Sequence, residues 1–152
     1  IGQGRLMDHF QRDNWILTPH PGEAARLLDT DTSVVQADRF TAVKALQQRY
    51  GGIALLKGVG SLIHNGKQSR LCRYGNPGMA SGGMGDVLAG IVASLVAQGM
   101  DLMTAACVGV QVHALAADRQ AAIGGERGML ATDLLPHLNA LLNPLQEPVN
   151  EC

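Results

Sequence analysis

The chain has 152 residues, 46% hydrophobic, 16% charged and only 3% aromatic, with a formal net charge of −1. That length supports one domain with a real core, and the composition suits an aliphatic, alanine-rich α/β interior. So small a net charge argues against a nucleic-acid partner, and the uncharged run Val87 to Met100 is too short to cross a bilayer.

Residues 1–14 are polar and poorly periodic, and read as a loop or a short helix. Trp15-Ile16-Leu17 is a short apolar run with the character of a buried strand. Thr18-Pro19-His20-Pro21-Gly22-Glu23 breaks it and leads into a helix expected from about Gly22 to Leu28. In an open parallel sheet such a loop lies at the carboxyl edge, where ligands bind. His20 and Glu23 have two readings. Glu23 complements the helix dipole while His20 caps the turn, or the flanking prolines hold His20 rigidly over a ligand. Their spacing matches no standard zinc motif, so no metal site is expected.

Asp31-Thr32-Ser33 offers caps for a following helix, with Phe40, Val43, Leu46 and Tyr50 as its buried stripe and Gly51-Gly52 as its stop. Ile53 to Leu56 is apolar on both faces and reads as a central strand. It delivers Lys57, followed by Gly58-Val59-Gly60-Ser61, a plausible nucleotide contact or an ordinary strand-end lysine with a loop. Asn65-Gly66 marks a hairpin between two short strands, and His64 beside it is expected to be exposed and inert.

From Gly75 to Gly90 the sequence reads Gly-Asn-Pro-Gly-Met-Ala-Ser-Gly-Gly-Met-Gly-Asp-Val-Leu-Ala-Gly. Glycines allow close backbone approach to a ligand, and a helix start supplies unpaired N–H groups and the positive end of a dipole. Together they make an anion site, most often for phosphate. Asp86 then has three readings: a helix cap, a metal ligand, or the group that faces the hydroxyl reacting with the phosphate. Neither the Walker pattern nor the dinucleotide fingerprint is present. After Asp86, Val87, Leu88, Ile91, Val92, Leu95 and Val96 form an apolar stripe on a helix expected to be buried nearly all round.

Ala105 to Ala117 reads as a second almost uncharged helix, packed on the first through small residues, with His113 as a satisfied core histidine. Thr132-Asp133 caps a last short helix that tolerates Pro136 in its first turn. The tail from Asn143 to Cys152 is expected to be disordered. Cys72, Cys107 and Cys152 are scattered and odd in number, which fits free thiols. With no signal-peptide pattern at the start, a cytoplasmic location is expected.

Leu17-Thr18-Pro19-His20-Pro21-Gly22-Glu23, Lys57 to Ser61 and Gly75 to Gly90 together resemble the ADP/ATP-dependent NAD(P)H-hydrate dehydratases. The resemblance runs from about Trp15 to Leu142. It implies a three-layer α/β/α ribokinase-like fold, with residues 1–142 as the C-terminal part of a single such domain. It implies that Lys57, Gly58, Val59, Gly60, Ser61, Gly82, Gly83 and Gly85 contact ADP or ATP with Mg2+. His20, Glu23, Asn76 and Asp86 would contact the hydrated nicotinamide, and Asp86 would be catalytic. The implied reaction phosphorylates the 6-hydroxyl of NAD(P)H-hydrate and eliminates phosphate. An NAD(P)H-hydrate epimerase domain fused upstream is the implied companion, and a homo-oligomer is possible. Two alternatives stay open: a small-molecule kinase of the same superfamily acting on a sugar, hydroxymethylpyrimidine or hydroxyethylthiazole, and an inactive nucleotide-binding fragment.

Overall fold

The structure is a computed structural model that describes residues 10–143. The expectations for residues 1–9 and for the tail beyond residue 143 lie outside the described residues. Four strands form one sheet in the order β1 (Ile16–Leu17), β2 (Ile53–Leu56), β3 (Leu62–His64) and β4 (Ser69–Leu71). β1 runs parallel to β2, with Ile16 opposite Ile53 and Leu17 opposite Ala54, while β3 and β4 continue antiparallel. The parallel pair sends both chain ends, Thr18 to His20 and Lys57 onward, out of the same edge of the sheet.

Helices α1 (Pro21–Leu28), α2 (Thr32–Ala37) and α3 (Arg39–Tyr50) cover one face, and α4 (Met84–Ala97) and α5 (Leu102–Gly124) cover the other. A short 3-10 turn at Ala131–Leu134 leads into α6 (Leu135–Leu142), which packs on α5. β2 shows why this makes three layers. All four of its residues are buried; Ala54 and Leu56 join the α1–α3 core, and Ile53 and Leu55 join the α4–α5 core. A strand apolar on both faces is stable only between two helical layers.

Several expectations need correction. Two helices, not one, follow Asp31: α2 starts there without a side-chain cap, and Asp38 caps α3 by accepting from the Thr41 N–H at 2.9 Å. Phe40 is 49% exposed, so the buried stripe of α3 is Ala42, Val43, Leu46 and Tyr50. His64 is buried, because α3 packs over the β3–β4 hairpin; its Nδ1 lies 3.0 Å from the Ser69 hydroxyl. The hairpin itself forms as its sequence dictates. Asn65 Oδ1 accepts from the N–H groups of Lys67 and Gln68, and Gly66 takes φ +87°.

α4 is not buried all round. Met84, Leu88, Ile91, Val92 and Leu95 are inside, but Ala89, Gly90, Ala93, Ser94 and Ala97 are exposed. An uncharged face of small residues looks buried in sequence because periodicity reports polarity, not what covers a face. The α4–α5 packing does use a small residue. A side chain added at Gly109 would meet Val92 Cγ2 at 2.6 Å, so glycine sets how closely the helices approach. His113 on α5 is buried as expected but not fully satisfied, since its Nε2 has no hydrogen-bond partner among the described residues. Cys72 and Cys107 are free thiols, and burial pushes both up from the ordinary thiol range. Among the described residues no helix is long and apolar enough to cross a membrane.

Candidate active site

Three chain segments meet at the carboxyl edge of β1 and β2. The first is the start of α1. His20 takes extended backbone as its N-cap, and its Nδ1 accepts from the N–H groups of Gly22 at 3.1 Å and Glu23 at 3.2 Å. Glu23 reciprocates, with its Oε2 accepting from the His20 N–H at 2.7 Å. This is a capping box with histidine in place of the usual serine or threonine. The capping reading of both residues is therefore realised in the structure. What remains outward is His20 Nε2, 3.6 Å from Glu23 Oε1 on an exposed side chain.

The second segment follows β2. The Lys57 N–H donates to Pro19 O at 2.9 Å, tying the two strand ends together. The Lys57 ammonium lies 3.6 Å from Glu23 Oε2. Burial raises the Glu23 carboxyl, but the His20 N–H and the Lys57 and His20 charges outweigh it, leaving it below its ordinary value. Gly58 to Ser61 then form a loop in which Gly58 and Gly60 have φ of +141° and +66°, and Val59 is 98% exposed. The Ser61 hydroxyl points back to Gly58 O at 3.4 Å.

The third segment is the start of α4. Gly83 is its N-cap in the left-handed region, φ +83°, a conformation that favours glycine. The Gly83 carbonyl accepts from both Asp86 and Val87 N–H groups at 3.0 Å. Among the described residues, the amides of Gly82, Gly83 and Gly85 make no hydrogen bond to the protein. A side chain at Gly85 would meet Lys57 Nζ at 3.1 Å, which places the ammonium against the first turn of α4. Gly85 itself is helical, so closeness to Lys57 rather than positive φ is what its glycine accommodates. Asp86, in the same turn, is exposed and has no hydrogen bond or ion pair among the described residues.

His20, Glu23, Lys57, Gly85 and Asp86, expected from sequence, thus fall on neighbouring segments of one edge. Asn76 is different. Its Nδ2 donates to Asp118 Oδ1 at 2.9 Å and its Oδ1 accepts from Gly78 N–H at 3.0 Å, capping a 3-10 turn at Pro77–Met79. Its amide is committed to shaping the entry to the glycine stretch.

Sequence reasoning missed two residues. Asp118, on α5, also accepts the Gly75 N–H at 2.9 Å, so it holds both Gly75 and Asn76 at that entry. Arg39, the first residue of α3, donates through Nη2 to the carbonyls of Leu56 at 3.4 Å and Lys57 at 3.3 Å, and through Nη1 to that of Val59. Neither carries a local motif, because both act across the sequence.

Beneath the start of α4, burial drives His113 down to about 4, opposed in part by the nearby Met84 backbone. His113 is therefore neutral at neutral pH. Among the described residues no group of three or more His, Cys, Asp or Glu side chains could hold a metal ion.

The sequence pattern of the NAD(P)H-hydrate dehydratase family (Carb_kinase) matches residues 6–139. The bifunctional NAD(P)H-hydrate repair enzyme Nnr of Coxiella burnetii is 58% identical over 135 residues, covering 88% of this chain and 28% of that enzyme. The ADP-dependent (S)-NAD(P)H-hydrate dehydratase of Neisseria meningitidis is 43% identical over 132 residues, covering 86% of this chain and 45% of that one. The Bacillus subtilis ADP/ATP-dependent NAD(P)H-hydrate dehydratase, co-crystallised with ATP and Mg2+, superimposes with a TM-score of 0.83 at 26% identity, over 90% of this chain and 51% of that one. This chain therefore spans about a quarter to a half of the length of the relatives it matches.

Proposed function

The chain belongs to the NAD(P)H-hydrate dehydratase family, with a ribokinase-like α/β fold, and on that premise we propose that its sheet edge binds ADP and takes part in the dehydration of NAD(P)H-hydrate. One observation carries this reading. Unpaired amides at Gly82, Gly83 and Gly85, the Lys57 ammonium and the unpaired Asp86 carboxylate converge on the start of one helix. The amides, the lysine and the dipole of α4 attract phosphate. The carboxylate repels it, and so is explained by the reacting hydroxyl.

Water is a poor leaving group and phosphate a good one. The 6-hydroxyl oxygen of the hydrate attacks the terminal phosphorus of ADP, the bond to the bridging oxygen breaks, and AMP leaves. Asp86 accepts the hydroxyl proton. Loss of phosphate from C6 and of a proton from the neighbouring ring carbon then restores the double bond of the reduced nicotinamide. Phosphoryl transfer has a loose transition state with little covalent work for the protein, so positioning and anion stabilisation dominate. The Gly82 to Gly85 amides and Lys57 would hold the phosphates, and the Gly58 to Ser61 loop the rest of the nucleotide. His20 Nε2, the outward atom of the α1 cap, would face the nicotinamide side.

Magnesium, when bound, neutralises phosphate charge. With no three-ligand cluster among the described residues, Asp86, the unpaired carboxylate beside the phosphate amides, would be the residue to hold it. An epimerase domain upstream is the companion this reading expects.

The assay is recovery of reduced-nicotinamide absorbance from the hydrate with ADP and Mg2+, using the complete domain that contains this chain. Formation of AMP and inorganic phosphate in step with that recovery is the expected result. A stable phosphorylated product with no recovery would instead mark a small-molecule kinase, and nucleotide binding with no product an inactive binding fragment.

A further inference from the structure

We propose that Arg39 is a positioning residue that holds the Lys57–Ser61 loop from behind, turning the Gly58 and Gly60 amides outward into an anion cradle. This rests on reading the loop as a nucleotide contact.

Arg39 is a half-buried cation with no carboxylate partner among the described residues. Its fork is spent on three carbonyls, those of Leu56, Lys57 and Val59, and its Nε is buried without a partner among the described residues. Burying a guanidinium against neutral carbonyls alone is costly, so the arrangement calls for a reason.

Peptide geometry supplies one. In a trans peptide the C=O and the following N–H point in opposite directions. With the Leu56 carbonyl drawn to Arg39, the Lys57 N–H must face the other way, and it does, donating to Pro19 O at 2.9 Å. By the same rule, drawing in the Lys57 and Val59 carbonyls turns the N–H groups of Gly58 and Gly60 away from Arg39. Neither amide makes a hydrogen bond to the protein among the described residues. Two outward amides with an unneutralised cation behind them attract an anion.

Gly58 fits the same scheme. A side chain there would meet Arg39 Nη2 at 3.0 Å and Cζ at 3.3 Å, and φ is +141°. The glycine is required by the guanidinium behind the loop as well as by any ligand in front of it.

The test uses Arg39→Lys, Arg39→Met and Gly58→Ala in this chain. Backbone 15N order parameters at Gly58, Val59 and Gly60 are measured without nucleotide, and ADP affinity by calorimetry. Lysine keeps the charge but cannot span three carbonyls with a planar fork. Both Arg39 variants are expected to lower the loop order parameters from the rigid range near about 0.85 towards about 0.6 or less, leaving the α5 amides unchanged. ADP affinity is expected to fall about tenfold, the scale of charge-assisted hydrogen bonds lost from a binding loop. Gly58→Ala is expected to loosen Val59 and Gly60 too, and to be non-additive with Arg39→Lys. A rigid loop in folded Arg39→Lys, or full additivity with Gly58→Ala, overturns the proposal. Should the Arg39 variants not fold, Gly58→Ala decides: a mobile loop supports the proposal and a rigid one rejects it. If the parent chain does not bind ADP, the nucleotide reading fails, while the order parameters still decide what Arg39 does.

Discussion

The two sides of the sheet edge are built on opposite principles. On the α1–β2 side the cap and strand-end groups already have partners, and only the Gly58 and Gly60 amides and Arg39 Nε are left without one among the described residues. His20 caps α1, Glu23 answers the cap and faces Lys57, the Lys57 amide ties to Pro19, and Arg39 gathers the loop carbonyls. On the α4 side the glycine amides and Asp86 are left without partners among the described residues. A satisfied rim is a frame that holds its shape without ligand. An open rim of donors beside one carboxylate leaves its groups free for a ligand. The contrast teaches which residues to expect in chemistry and which in architecture.

The largest effect should come from Asp86. With Gly83 as the N-cap and no side-chain cap bond to lose, Asp86→Asn would be nearly harmless if Asp86 only complemented the helix dipole. As the proton acceptor, its loss should lower turnover of the complete domain by about 10²-fold or more, with folding intact. ADP binding should hold or tighten, since a carboxylate beside phosphate is repulsive. Turnover near the parent rate would move Asp86 into the frame and break the comparison.

His113 tests the frame from inside, as a buried group with an unpaired ring nitrogen. The unfolded chain protonates it below about 6.5, whereas the folded chain resists protonation until about 4. Between those values the unfolded state holds more protons, so stability falls as pH drops through that window and is fully present above it. The loss is about 3 kcal/mol at most, from 1.36 kcal/mol per pKa unit. Urea unfolding of the chain at pH 7 and pH 4.5 should show this slope, and His113→Leu should flatten it. An unchanged slope in the variant would assign the acid loss to other groups, with Glu23, whose carboxyl is held low, the next to examine.

At Gly85 the two rims touch. Gly85→Val would push its side chain onto Lys57 Nζ, 3.1 Å from where a Cβ would lie. Displacing that ammonium should weaken ADP about tenfold, on the scale of one charge-assisted contact, while the α4 core stays intact. Calorimetry on a variant shown folded by its unfolding curve gives the answer, and unchanged affinity would remove Lys57 and Gly85 from the phosphate site.

The smallest effect belongs to His20. Its cap bonds predict a loss of about 1 kcal/mol on His20→Ala, largely restored by His20→Asn. If His20 also faces the nicotinamide, His20→Asn should restore stability but not the hydrate KM of the complete domain. Restoration of both would confine His20 to capping.

Much of this was legible in the sequence for local reasons. Pro21 and Glu23 announce α1, Asn65-Gly66 announces the hairpin, and the glycines before Asp86 announce an open helix start. Arg39 and Asp118 were not legible. Each is a single charged residue on a helix, and its partner lies 17 to 43 positions away. Phe40 and the outer face of α4 misled for a related reason: apolar or small residues at helical spacing say nothing about whether another element covers them. His64 was misjudged because a hairpin turn reads as surface until α3 is folded over it.

The open rim and the loop braced by Arg39 would together form the nucleotide phosphate site. Titration of the 15N-labelled chain with ADP and Mg2+, followed through its backbone amides, tests it most directly. Saturable shifts are expected at Gly58, Gly60, Gly82, Gly83 and Gly85, with little change along α5. An absence of shifts in a folded sample at millimolar nucleotide, or shifts confined to other surfaces, would contradict it.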